Sequence, residues 1–115
     1  MLVHFARKAD WEEAQESKSY STPDLEETGF IRALTPAQAA EHANAELAGE
    51  DDVVLLWIKE PELRAAIVHK RPDGQELGDL YPHIYGPINT DAVARAVELE
   101  PWAPGGFVLP KEPSV

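Results

Sequence analysis

With 21 acidic and 10 basic residues among 115, the chain carries a formal charge of -11, and it has no cysteine. That length fits one domain able to bury about two-thirds of its unfolded surface, while the lack of cysteine excludes disulfides, thiolate metal sites and cysteine nucleophiles. The acidity opposes a nucleic-acid partner; with no apolar run near the roughly 20 residues of a bilayer span and no signal-peptide core, the expectation is a cytoplasmic protein without a membrane partner.

Residues 1–5 read as a first strand in which Val3 and Phe5 point away from His4. Asp10-Trp11-Glu12-Glu13 has the form of a capping box and predicts a helix of two or three turns to about Lys18, with Trp11 in the core. Residues 19–28, rich in Ser, Thr, Pro and acids, read as a connecting loop. A second short strand over 29–34 runs into Thr35-Pro36-Ala37-Gln38, where the N-cap, first and third helical positions give the strongest helix start in the chain. That helix is expected to reach about Leu47 and stop at Gly49, burying Ala39, Ala40, Ala43 and Leu47. His42 and Glu46 stand one turn apart on it, half of a metal site at most and more simply exposed helix residues, so no metal is expected.

Val53-Val54-Leu55-Leu56-Trp57-Ile58 is a continuous apolar run, the mark of a strand covered on both faces and therefore central. A further strand is predicted over 65–69, followed by a turn at Arg71-Pro72-Asp73-Gly74. Residues 91–99 fit either element; one helical turn near 90–93 and then a strand to about Glu100 is the expected order. The reading is a single α+β domain over 1–103 and a Pro/Gly-rich tail over 104–115 that frays. Lys59, Arg64, Lys70 and Arg71 form a local basic stretch that reads as a solvated face.

The most distinctive stretch is Leu80-Tyr81-Pro82-His83-Ile84-Tyr85-Gly86-Pro87-Ile88. Two prolines and a glycine hold it to a bent, extended path, and the alternation of a strand puts Tyr81, His83 and Tyr85 on one face with Ile84 on the other. A polar aromatic face over an apolar anchor suits a ligand-lining strand and also an ordinary edge strand.

That stretch, together with the His-bearing first strand, Asp10-Trp11, Gly29-Phe30-Ile31, Val54-Leu55-Leu56 and Gly78-Asp79-Leu80-Tyr81, resembles the small bacterial family known as domain of unknown function 952. The resemblance implies an ADP-ribosyltransferase-like fold, a small split α+β barrel of two packed sheets with two helices and a cleft for NAD. It implies an anionic small ligand, NAD or ADP-ribose, with ADP-ribosyl or phosphoryl transfer as the reaction class. His4 matches the first-strand residue that holds a ribose in active members of that fold. Arg32 and Thr35 stand where the family carries a His and a Ser, Asp79 stands where a Glu is common, and His69-Lys70 replaces a Trp-Glu pair.

The candidate catalytic residues are His83 and Asp79, and the candidate ligand-binding residues are His4, Arg32, Thr35 and Tyr85. Arg32 before a helix N-terminus can clamp a phosphate or carboxylate, or simply pair with a surface acid. His83 can transfer a proton near neutral pH, or satisfy backbone groups in a rigid corner. His4 is either a cleft residue or one bonded to backbone, and Tyr85 either stacks on a ligand or packs. Two functions follow: a cleft that binds and transforms an NAD-class ligand, or a noncatalytic interaction module that keeps the cleft. Without the family's late Glu, only Asp79 or Glu76 is left to supply a carboxylate, so binding is favoured over turnover.

Overall fold

The computed structural model describes residues 1–71 and 79–113. Among the described residues, eight strands and three α-helices follow one another as β1 (Leu2–Arg7), α1 (Lys8–Ser17), β2 (Ser19–Tyr20), α2 (Pro23–Thr28), β3 (Ile31–Arg32), α3 (Pro36–Glu46), β4 (Val53–Ile58), β5 (Ala66–Lys70), β6 (Tyr81–Tyr85), β7 (Ile88–Asn89) and β8 (Val93–Leu99). Single 3-10 turns at Glu60–Glu62 and Thr90–Ala92 precede β5 and β8. The expected α+β class is found, but with three sheets and three α-helices among the described residues where two of each were anticipated.

The strand orders are β1-β4-β8, β2-β7 and β3-β6-β5, and every pairing is antiparallel. A bridge between Val3 and Leu34, with reciprocal backbone hydrogen bonds of 2.8 Å, ties the first sheet to the third. β4 is central, and all six of its residues are buried. Val54, Leu56 and Ile58 enter the main core with Leu2, Ala6, Trp11, Ile31, Ile84 and Ile88. Leu55 and Trp57 face the other way into a smaller core with Val3 and Ala39. An unalternated apolar run is thus what two cores on opposite faces of one strand require.

The strand expected over 1–5 extends to Arg7, and α1 starts at Lys8, earlier than the capping box suggested. Asp10 is not the cap: the N-cap is Arg7, whose side chain makes no capping bond. A tertiary contact takes over, the Lys8 N–H donating to the Asp52 carbonyl at 2.8 Å. Asp10 sits in the first turn, where a carboxylate favours the helix dipole.

Residues 19–28 are also more ordered than the loop expected there. They hold β2 and α2, with Thr22 accepting from the Leu25 N–H and Pro23 at the helix start. Gly29 closes α2 at φ 86, a conformation that glycine adopts without Cβ strain, and its N–H reaches the Leu25 carbonyl at 2.9 Å.

α3 starts where the sequence places it. The Gln38 N–H donates to the Thr35 carbonyl, and Gln38 Oε1 accepts from the Thr35 N–H, both at 3.0 Å. Ala39 and Ala43 are buried, letting α3 approach β1 closely, whereas Ala40 and Leu47 are half-buried. The 3-10 turn and strand after residue 89 match the expected order.

Described residues 101–113 hold no helix or strand, yet part of this stretch is anchored rather than frayed. Phe107 is buried edge-on to Phe5, its N–H donates to Asn44 Oδ1 at 3.0 Å, and Trp102 Nε1 donates to the Ala43 carbonyl. The turn expected at 72–74, Glu76 and Gly78 lie outside the described residues.

Candidate functional site

β1 and β3 meet through the Val3–Leu34 bridge, so the residues flanking it, His4 and Arg32, are brought together from 28 positions apart. Both line a cleft of about 430 Å³ walled by β1, β3, α2 and α3. Asp24 and Thr28 enter it from α2, Phe30 from the start of β3, and His42 from α3. Arg32 is exposed, and its guanidinium lies 5.9 Å from the Tyr81 ring centroid.

The hydrogen bonds of His4 fix its protonation. Nδ1 stands 3.0 Å from the Arg32 carbonyl, which only accepts, so Nδ1 carries the proton. Nε2 stands 3.0 Å from the Tyr20 hydroxyl. Burial pushes the His4 pKa below 6.5, against the opposing pull of the Arg32 carbonyl; His42 pushes the same way as burial, and Asp24 against it. The imidazole is therefore neutral at pH 7, and Tyr20 donates to Nε2. Burial raises the Tyr20 pKa, helped by Asp10 and Asp24, so the phenol keeps its proton.

His4 forms the wall of the cleft, but both ring nitrogens are engaged inside the protein. The ribose-holding role implied for it has no free nitrogen in this arrangement. Its observed work is to bolt β1 to β3 and to Tyr20.

His42 differs from His4. It is half-buried and stacked on Phe5, with centroids 6.0 Å apart and planes at 26°. Burial lowers its pKa, Glu46 opposes the shift and Arg32 adds to it. Among the described residues no group of three His, Cys, Asp or Glu side chains is placed to hold a metal.

The other expected site residues lie elsewhere. Thr35 caps α3 and does not line the cleft. His83, paired with Arg32 across β3 and β6, is buried, and its Nδ1 donates to the Tyr81 carbonyl at 2.7 Å. Phe30 covers it, with ring centroids 4.6 Å apart, and also meets Tyr85 at 6.0 Å. His83 thus takes the rigid-corner arrangement; Phe30, packed on it, lines the cleft, and His83 is not among the lining residues. Tyr85 is 38% exposed on the outer face of the third sheet, where Lys70 Nζ lies 5.5 Å from its ring and 5.7 Å from Phe30. Asp79 is exposed at the edge of the described residues and is not among those lining the cleft.

The sequence reading missed Asp24, Phe30 and His42 as cleft residues and Tyr20 as the partner of His4. His42 had a usable signal: it follows buried Ala39 by three and precedes buried Ala43 by one, so it borders the buried stripe of α3. Tyr20 was the lone aromatic in a polar stretch. A larger hollow, about 770 Å³, opens beside α1, but along it the acids Glu12, Glu50, Asp51 and Asp52 outnumber the cations Arg7 and Lys8. Its charge disfavours an anion, and it contains none of the expected residues.

The family model described as Protein of unknown function (DUF952) matches residues 5–96. The chain belongs to that family. The fold of this DUF952 member is similar to the crystal structure of protein CC0527 from Caulobacter crescentus, with a TM-score of 0.76 and 27% identity over 91% of this chain and 90% of that one. A crystal structure of a double mutant of CC0527 matches at 26% identity with the same TM-score and coverage. The solution NMR structure of CC0527, at 22% identity and a TM-score of 0.66 over 86% and 84% of the chains, is a likeness of fold alone. Among curated proteins none matches. These neighbours support a mixed α+β domain; none of them ties DUF952 to the ADP-ribosyltransferase-like fold.

Proposed function

We propose that this DUF952 protein binds an anionic small ligand of the NAD or ADP-ribose class in the cleft between β1, β3, α2 and α3. The observation that carries the reading is the meeting of His4 and Arg32, from separate strands, on the wall of one cleft. Arg32 supplies a guanidinium suited to two phosphate oxygens. Phe30 offers an apolar surface beside it, and Asp24 a carboxylate able to accept from sugar hydroxyls. An ADP-ribosyltransferase-like ancestry, suggested by the sequence resemblance, fits a cleft with this mixture of cation, aromatic ring and acid.

Binding is favoured over turnover. Both nitrogens of His4 are engaged, His83 is covered by Phe30, and Asp79 is not among the cleft residues. Neither expected catalytic residue therefore stands at the proposed binding surface. ADP-ribosyl or phosphoryl transfer remains the reaction class to test, with Asp24 as the carboxylate present in the cleft.

Calorimetry and thermal shift with NAD, ADP-ribose and phosphate on wild type, Arg32→Ala and His83→Ala test the reading. Binding weakened by Arg32→Ala and unchanged by His83→Ala supports this cleft. No nucleotide binding at millimolar concentration overturns it, and equal binding to both variants places the ligand elsewhere.

A second reading, a noncatalytic protein-interaction module, is favoured by one observation. Val68 and Leu80 are each 46% exposed and Tyr85 38% exposed, at or next to the outer face of the third sheet. Three large apolar side chains gathered there give a partner segment something to bury.

A further inference from the structure

Arg32 and His42 line the same cleft from different elements, β3 and α3, and the Arg32 guanidinium disfavours a positive charge on His42. A guanidinium next to an imidazole in a partly buried cleft makes protonation of the imidazole costly while the cleft is empty. An anion placed between them reverses the balance, because it attracts both cations and offsets their repulsion. His42 is also held for the purpose: stacking on Phe5 fixes the plane of its ring, and neither ring nitrogen has a hydrogen-bond partner among the described residues. His4, by contrast, has both nitrogens engaged and cannot turn to a ligand without losing them.

We propose that His42 is the second anchor for the phosphate group of the ligand, binding it as the imidazolium alongside Arg32, so that ligand binding takes up a proton. This inference rests on the cleft reading above and goes further by naming the residue and the coupled charge. The groups facing His42 are Glu46 on its own helix, Arg32 on β3, His4 and Phe5 on β1, and Asp24 on α2 across the cleft. Glu46 already favours the imidazolium, and Arg32 opposes it. His4 is neutral and adds no charge, while the Asp24 carboxylate lies on the α2 wall, where it suits the hydroxyls of a sugar better than its phosphate. The ligand class is thus a phosphate or diphosphate carried on a hydroxylated ring.

The proton linkage has a direction. Free His42 titrates below 6.5, so near pH 7 it is largely neutral, and an anion that raises its pKa binds more tightly as the pH falls from about 8 towards 6. For a ligand that does not itself titrate there, such as a diphosphate diester, an Arg-only site shows no such dependence across that range, because guanidinium does not titrate there.

The test is calorimetric titration of wild type, His42→Gln, His42→Lys and Arg32→Ala with ADP-ribose, whose diphosphate, esterified at both ends, does not titrate near neutral pH. Each titration is run at pH 7 in two buffers of different ionisation enthalpy. The expected result is net proton uptake in wild type, none in His42→Gln with affinity lowered about tenfold, and affinity restored without proton uptake in His42→Lys. Circular dichroism of each variant checks that the fold is intact. Binding that takes up no proton, or that is unchanged in His42→Gln while weakened by Arg32→Ala, overturns the role of His42 and leaves the cleft reading standing. If ADP-ribose does not bind wild type, both fall.

Discussion

The Tyr20 hydroxyl meets His4 Nε2 at 3.0 Å, and with the Arg32 carbonyl on Nδ1 this commits the imidazole to a single neutral tautomer. Three segments, β1, β2 and β3, are pinned together through one side chain. Tyr20 is itself buried against Trp11, so the hydroxyl cannot turn to solvent for another partner.

Tyr20→Phe keeps the ring and removes the donor, leaving Nε2 an unsatisfied acceptor. The expected cost is about 1–3 kcal/mol, read as a lower midpoint of urea unfolding with an unchanged slope. A change near zero would mean that water replaces the phenol.

Stability should fall as the pH drops below 6.5. His4 and His42 both have folded pKa values lowered from that figure, so the unfolded chain binds more protons in the window between the folded values and 6.5. Their contribution is complete above 6.5 and is lost as the pH falls through the folded values. Asp91, lowered below 3.8 chiefly by its hydrogen bond from Asn89, adds a separate acid loss that begins near that value. Urea unfolding at pH 7.5, 6.5 and 5.5 checks the first phase; a flat profile across that range contradicts it.

Core substitutions on the two faces of β4 should differ sharply. Leu56→Ala opens a cavity in the main core and is expected to cost about 2–5 kcal/mol. Trp57 is fully buried, and its Nε1 has no hydrogen-bond partner among the described residues. Trp57→Phe loses volume but also removes an unsatisfied donor whose burial costs about 1–3 kcal/mol. The two effects offset, and a net change within about 1 kcal/mol is expected from the same unfolding experiment.

Gln38 joins the start of α3 to the approach of β6. Its Oε1 accepts from the Thr35 N–H, and its Nε2 donates to the Leu80 carbonyl at 2.8 Å. Gln38→Ala should cost about 1–2 kcal/mol and speed amide exchange at Thr35. Unchanged exchange there would show that the side chain plays no part in holding the turn.

Elements encoded by neighbours in the chain were legible: β4 through its apolar run, and α3 through Thr35, Pro36 and Gln38. The start of α1 was not, because the Asp52 carbonyl, distant in sequence, takes the place of a local cap. α2 carried a readable Thr-Pro signature at Thr22 and Pro23, the same chemistry that marks α3, but it is only six residues long. β2 has two residues and pairs with β7, a partner that no local pattern announces.

The site divided in the same way. Alternation put Tyr81, His83 and Tyr85 on one face of β6 and Ile84 on the other, and the structure agrees, but it could not show that Phe30 would cover His83. His4 came from the family resemblance, and Arg32 from its place on a short strand leading into a capped helix. His42 and Asp24 reach the cleft on helices, and where a helix docks is settled by tertiary contacts rather than by its own sequence.

The most direct test of the central claim is an amide chemical-shift titration of the protein with ADP-ribose. The cleft account expects saturable shifts concentrated at His4, Phe5, Asp24, Phe30 to Arg32 and His42, abolished by Arg32→Ala. Shifts confined to the outer face of the third sheet, around Val68 and Tyr85, or no shifts at millimolar ligand, would contradict it.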